Sequence, residues 1–304
     1  MAVMNRAKFA KELQEGLDSV FGLDYDSHDE EWRGCFEVQN SKKAFEEDVL
    51  VSGFGAAPVK AEGSSVAFDE ASEAWTSRYT HETIALQFAI TEEAIEDNLY
   101  MSMGAKYAKA LSRSMIHTKE IKGASIFNNA FSGSYLGGDG KALLATDHPL
   151  AGGGTFSNKL ATAADFSETA LEDILIQIRK AKDDRGIPIA LTPKKVIVPP
   201  ELEYVATRIL DSDLRAGTAD NDINAVKRKG IFSSAPHIIT RLTDADAWFV
   251  KTDCPEGLKY FDRVGLKKRI KTDHDTGNYQ YLVRERYSMG WSDPRTIFGS
   301  EGAA

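Results

Sequence analysis

The chain has 304 residues, with 37 Lys+Arg against 46 Asp+Glu, 42% hydrophobic residues, 24 Gly and 2 Cys. At roughly 100–200 residues per domain, this length builds one large or two ordinary domains with a real core, which excludes a disordered or fibrous chain. A net charge of −9 excludes a protein whose whole surface neutralises phosphates, leaving room for a local basic patch.

Cys35 and Cys254 belong to no CxxC or Cys/His spacing, so they build neither a disulfide framework nor a structural zinc site, and both read as buried small hydrophobes. No stretch approaches the ~18–20 uninterrupted apolar residues needed to cross a bilayer. Arg6, Lys8, Lys11, Glu12 and Glu15 occupy the place where a signal peptide would carry an apolar run. The expected setting is a cytosol-like compartment, or something assembled there.

Phe9, Leu13, Leu17 and Val20 recur at spacings of three and four, predicting a short amphipathic helix from Asn5 to Val20. The acidic stretch Asp24, Asp26, Asp29, Glu30 and Glu31, followed by Trp32 and Phe36, reads as an extended arm that docks on something. Asp48 to Ile90 reads as a long, irregular β-hairpin with a Gly- and Ser-rich tip. Its return strand is expected at Ile84, Leu86, Phe88 and Ile90, which alternate with Thr83, Ala85, Gln87 and Ala89. About 40 residues of hairpin cannot enclose a core, so a neighbouring subunit is the natural partner.

Thr91, Glu92 and Glu93 form a helix start. Ile95, Leu99, Met103, Tyr107, Leu111 and Met115 then recur every fourth residue, with Ile116 and Ile121 widening the stripe. The helix is expected to run to about Phe131, with Gly104 and Gly123 as places of bending or close approach. A Gly-rich passage from Gly133 to Gly154 follows. Next comes an α/β region: a helix capped by Ser167, with Leu171, Ile174, Leu175 and Ile178 inside, and a strand Lys195–Val198. A helix opened by Pro200 and strands at His237–Leu242 and Ala247–Lys251 complete it. Gly265–Thr272 and Tyr279–Tyr287 flank a turn at Asp273–Asn278, forming a final hairpin.

The motifs with chemical potential each have a plainer reading. Gly53-Phe54-Gly55 resembles a dinucleotide fingerprint, but Pro58 stands at the third glycine and no helix is expected after it. Gly140-Lys141 lacks the leading glycine and the hydroxyl of a phosphate loop. Asp147-His148 and Asp273-His274-Asp275 are candidate metal or acid/base pairs without a third ligand or a nucleophile elbow. His148 therefore reads as a loop residue whose ring satisfies backbone groups, and His274 as an exposed turn residue. The basic clusters Lys227-Arg228-Lys229 and Lys267-Lys268-Arg269-Lys271 read as solvated faces, or as contacts with nucleic acid or an acidic partner.

Leu143-Leu144-Ala145-Thr146-Asp147-His148-Pro149-Leu150 with Gly153-Gly154-Thr155-Phe156-Ser157-Asn158, and Glu285–Trp291 with Asp293-Pro294-Arg295, resemble segments of tailed-bacteriophage major capsid proteins. The likeness is to the Hong Kong 97-type fold, nearest the Mu-like prophage head-subunit group. It implies an α+β fold with an N-terminal arm (1–47), an extended loop (48–90), and a peripheral domain with a spine helix (91–157). An axial domain (158–251) and a return to the peripheral domain (252–304) complete it.

The implied function is a non-enzymatic, cofactor-free shell subunit that self-assembles through hexamers and pentamers around double-stranded DNA, in the virion, after assembly in the host cytoplasm. A separate scaffolding protein and a portal are the implied partners, with no membrane. Phe54, Val59, Lys60, Trp75, Tyr79, His274 and Asn278 are the expected inter-subunit contacts. They are expected to be non-covalent, since an isopeptide staple between Lys60 and Asn278 needs a nearby carboxylate. The alternatives are a nanocompartment shell of the same fold, enclosing a cargo enzyme, and a hydrolase using Asp147 and His148.

Overall fold

The computed structural model describes residues 7–91, 93–94, 100–214, 222–273 and 276–303. Helix α1 spans Ala7–Asp26, six residues beyond the expected end at Val20. It continues because Phe21 and Tyr25 prolong the stripe begun at Leu17. Their rings stack at 5.7 Å, and Tyr25 reaches Lys119. Asp24 and Asp26 thus lie in the helix, not in an extended arm. The docking of this segment is internal: Trp32, Cys35 and Phe36, around a short 3-10 turn, are buried in the main core.

After β1 (Glu37–Asn40), strands β2 (Phe45–Ser52) and β3 (Ser72–Thr80) pair antiparallel as the hairpin. The return strand is therefore β3. The alternating segment Glu82–Ile90 forms β4, which pairs with a distant strand instead. Its apolar side, Ile84 and Phe88, is drawn to the helices rather than to the hairpin. Residues 53–71 carry no regular strand or helix.

Helix α2 covers Tyr100–Asn128, 29 residues or roughly 43 Å. The expected start at Thr91 is described only in part, since 92 and 95–99 lie outside the described residues. Ala108, Leu111, Met115, Ala124 and Phe127 are its buried side, whereas Tyr107 and Ile121 stand exposed. At Gly123 a Cβ would fall 2.7 Å from the Cβ of Trp32, so this glycine permits the close approach anticipated there.

The α/β unit follows the short pair β5 (His148–Pro149) and β6 (Thr155–Phe156). Its sheet has the order β12-β9-β7-β8, from β7 (Pro193–Val198), β8 (His237–Ile238), β9 (Trp248–Thr252) and β12 (Ile297–Ser300). The expected strand His237–Leu242 is thus cut to two residues, because the chain turns after Ile239, where the N–H of Leu242 donates to the Ile239 carbonyl. Helix α3 (Glu168–Arg179) begins with Ser167 accepting from the N–H of Ala170 and buries Leu171, Ile174, Leu175 and Ile178, as their spacing requires. Helices α4 (Glu203–Asp211) and α5 (Ala225–Arg228) complete the unit.

Strands β10 (Leu258–Thr272) and β11 (Tyr279–Trp291) form the long C-terminal hairpin at the centre of a second sheet, ordered β1-β10-β11-β4. Helices α1 and α2 cover one face of it through Leu17, Phe21, Leu111, Met115, Tyr281 and Val283. Among the described residues, no helix is long and apolar enough to cross a membrane.

Candidate assembly surfaces

The segments with the most chemical promise in the sequence meet in the interior. His148 is fully buried between Asp139 Oδ2, 2.6 Å from Nδ1, and Asn158 Oδ1, 3.1 Å from Nε2. The amide of Asn158 is oriented by its network: Nδ2 donates to the carbonyls of Leu143, Pro294 and Ile297, while Oδ1 accepts from the N–H of Ala145. Both ring nitrogens of His148 are thus occupied by partners within the chain and sealed from solvent, so neither is within reach of a substrate as a general base. Its partners are side chains, not the backbone groups anticipated.

Phe156 stacks on His148 at 4.8 Å, and the Arg295 guanidinium lies 4.6 Å from the Phe156 ring centre. Arg295 is itself buried and bonded to Asp184 at 2.8 Å and Asp293 at 3.2 Å. The motif segments at 147–158 and 293–295 thus form one internal clamp. Asp147 is exposed, paired with Lys141, which lowers its pKa by hydrogen bonding to the carboxylate.

Other reactive groups are equally occupied. Burial pushes the Cys35 thiol up to about 12 and raises Cys254, which half-hides beside Asp293. A groove of about 680 Å³ between α3 and α5, lined by Leu175, Ile176, Arg179, Val226 and Lys229, contains no histidine, cysteine or serine. Among the described residues, no three His, Cys, Asp or Glu side chains gather to hold a metal.

The hairpin is different. Val59 and Phe68 are fully exposed and Phe54 is 62% exposed, with Val49, Val51 and Val66 also in solvent. Lys60 is exposed beside them. Phe45, Val49, Val51, Val66 and Phe68 are not among the expected contacts; Val49 and Val51 stand on one exposed side of β2, with Leu50 between them on the other, so the run Val49-Leu50-Val51 carries no alternation that would mark an apolar side.

Trp75 is half-buried on β3, its Nε1 enclosed without a hydrogen bond. Tyr79 is buried in its own chain: its ring lies 4.8 Å from that of Phe261, edge to face, and its hydroxyl is 2.5 Å from Ser292 Oγ. Tyr79 therefore anchors the hairpin root and is not an outward contact. Asn278 is half-buried in the β10–β11 turn, its carbonyl accepting from Asp273 at 2.9 Å, and His274 lies outside the described residues. Phe54, Val59 and Lys60 share the hairpin tip, while Asn278 belongs to another element.

Residues 73–299 match the family model of the phage capsid protein. Among solved structures, the chain is similar to the virus-like particle from Pyrococcus furiosus, with a TM-score of 0.51 and 13% identity over 94% of this chain and 98% of that one. It is likewise similar to the procapsid of bacteriophage JBD30, with a TM-score of 0.53 and 14% identity over 98% and 76%. A third similar structure, from Mycobacterium phage Adephagia, has a TM-score of 0.54 and 10% identity over 91% of both chains. No curated protein sequence matches. A buried, fully partnered motif clamp, an uncovered apolar hairpin and a mixed fold of the Hong Kong 97 type agree with the family match, and the chain belongs to the phage capsid protein family as a structural major capsid subunit.

Proposed function

We propose that this chain self-assembles, through hexamers and pentamers, into the icosahedral head enclosing the double-stranded DNA of a tailed phage. The observation that carries the reading is the hairpin, which leaves Val59 and Phe68 with no cover from its own chain. Exposed apolar surface of this kind marks an interface. In this reading residues 48–90 form the extended loop over a neighbouring subunit, α2 is the spine of the peripheral domain, and 158–251 is the axial domain around the symmetry axes. Residues 1–47 are the N-terminal arm, and 252–304 return to the peripheral domain.

The role is non-enzymatic, supported by the family match and by the His148 ring, whose two nitrogens are occupied by Asp139 and Asn158. A separate scaffold and a portal assist assembly in the host cytoplasm, and the mature location is the virion. The Asp147-His148-Pro149 and Gly153–Asn158 segments support placement near the Mu-like head subunits. A nanocompartment shell is the second reading, favoured by the near-complete mutual coverage with the Pyrococcus furiosus particle.

Light scattering and negative-stain microscopy of the purified full chain test the proposal. Closed shells, or rings of five or six, are expected. A stable monomer at high concentration, even with a scaffold supplied, overturns it. Cargo peptides in place of nucleic acid inside the shells select the nanocompartment.

A further inference from the structure

The groove of about 680 Å³ between α3 and α5 lies wholly within the α/β unit. Leu175, Val226 and Ile231 form its floor, all three packed in the apolar core of that unit, and Ile176 stands in its wall, 50% exposed. The opposite wall is fixed in advance. The amide oxygen of Asn224 accepts from the N–H groups of Val226 and Lys227, its Nδ2 donates to the Ile209 carbonyl, and Lys227 pairs with Asp213 at 2.8 Å. Gly230, at φ +59°, ends α5 and turns the chain so that Ile231 returns to the same hollow.

The rim is charged largely one way. Arg179, Lys180 and Lys229 are exposed along it, against a single carboxylate, Glu172. Among the described residues, none of the three cations has an ion pair. In a chain of net charge −9, three unpaired cations around an apolar hollow select an occupant that is apolar on one side and acidic at its edges.

The shape narrows the class. Small molecules are held where most of their surface is enclosed, yet half of Ile176 stays in water. The occupant therefore covers the groove with one face and keeps another in solvent, as an amphipathic helix does. The length agrees. Along α3 the groove runs from Glu172 to Lys180, roughly 12 Å of helix, and anchors at i, i+3 or i+4 and i+7 of a docked helix span about 10.5 Å.

We infer that the groove between α3 and α5 is the docking site for an acidic amphipathic helix of a second protein. Its apolar anchors rest on Leu175, Ile176, Val226 and Ile231, and its carboxylates meet Arg179, Lys180 and Lys229. The site is complete in one chain, so the inference goes beyond the shell reading and stands without it.

The test is fluorescence anisotropy on the full chain with a labelled synthetic helix that carries Leu at the anchor positions and Glu on both flanks. A counterpart with Lys in place of Glu is expected to bind at least about tenfold more weakly. Arg179→Glu/Lys180→Glu/Lys229→Glu is expected to invert that preference, with thermal melting as the folding control, since all three side chains are exposed. Ile176→Ser is expected to weaken the Glu helix about fivefold by removing part of the apolar wall. Carbodiimide should join the Glu helix to Lys180 or Lys229, located by peptide mass spectrometry.

Equal binding of the two helices, with no cross-link at Lys180 or Lys229, overturns the inference. Carbodiimide links from Lys180 or Lys229 to another copy in mixed-isotope wild-type particles overturn it too, assigning the groove to a second copy of this chain. A charge preference that inverts as expected in a chain that forms no particles supports this inference and overturns only the shell reading.

Discussion

Asn158 donates from Nδ2 to the carbonyl of Pro294, 2.9 Å away and 136 residues further along the chain. The same side chain holds the Leu143 and Ile297 carbonyls, the Ala145 N–H and the ring of His148. One small amide thus fastens the Gly-rich passage to the C-terminal strand. Asn158→Ala is expected to cost about 3–5 kcal/mol by leaving several buried groups unpaired, read from urea unfolding midpoints.

His148→Ala removes a buried ring bonded at both nitrogens and stranding Asp139. Stability is expected to fall by about 3–5 kcal/mol, because a buried ring is lost and the buried Asp139 carboxyl is left without its partner. Assembly should fail together with folding, in a melting experiment run beside sedimentation. Loss of a turnover with folding and assembly intact would return the hydrolase reading.

Tyr79 fixes the hairpin root. Tyr79→Phe removes only the hydroxyl bonded to Ser292, an expected cost of about 1 kcal/mol. Tyr79→Ala empties the site against Phe261, an expected cost of about 3–4 kcal/mol. Denaturant unfolding of both variants checks the ordering.

Glu120 accepts from the N–H groups of Glu31 and Trp32 at 2.9 and 3.1 Å, and burial raises its pKa to about 7. A carboxyl raised on folding binds its proton more tightly in the folded state, so its ionisation opposes folding above pH 7. As pH falls from above 7 towards the ordinary value of 4.5, this group is expected to add stability. Glu120→Gln loses an acceptor and is less stable throughout, but its melting temperature should gain less than wild type's between pH 8 and about 5.5.

Lys119 and Glu285 form a buried pair at 2.8 Å, with Tyr25 bonded to the same ammonium. Burial raises the Glu285 pKa, Lys119 opposing the shift, and Oε1 has no partner. Lys119→Met is expected to cost about 3–5 kcal/mol, whereas Lys119→Met/Glu285→Leu recovers most of it, in a double-mutant cycle by unfolding.

Helices and the long C-terminal hairpin were legible because their signals are local. Ser167 and the residues it precedes define α3, and the turn at Gly277 and Asn278 joins β10 to β11. Strand partners were not legible: the alternation of β4 states that one side is buried but not by what, and its partner lies some two hundred residues away. The contact residues divide for the same reason. Exposed Val59 and buried Tyr79 are both apolar hairpin residues, and only the packing of Phe261 and Ser292 separates them. In the basic run at 267–271, Lys268 has an internal partner in the Asp18 carbonyl, which charge and spacing alone do not reveal.

The sheet order β1-β10-β11-β4 has a consequence for the newly made chain. Both edge strands are translated before Thr91, while the two central strands emerge only with residues 258–291. A ribosome-bound chain therefore holds two outer strands with nothing between them for most of its synthesis. Such distant pairings form slowly and expose strand edges meanwhile. The centre of this sheet does not exist until the chain is almost finished, so a half-made copy holds its two outer strands without the strands that join them.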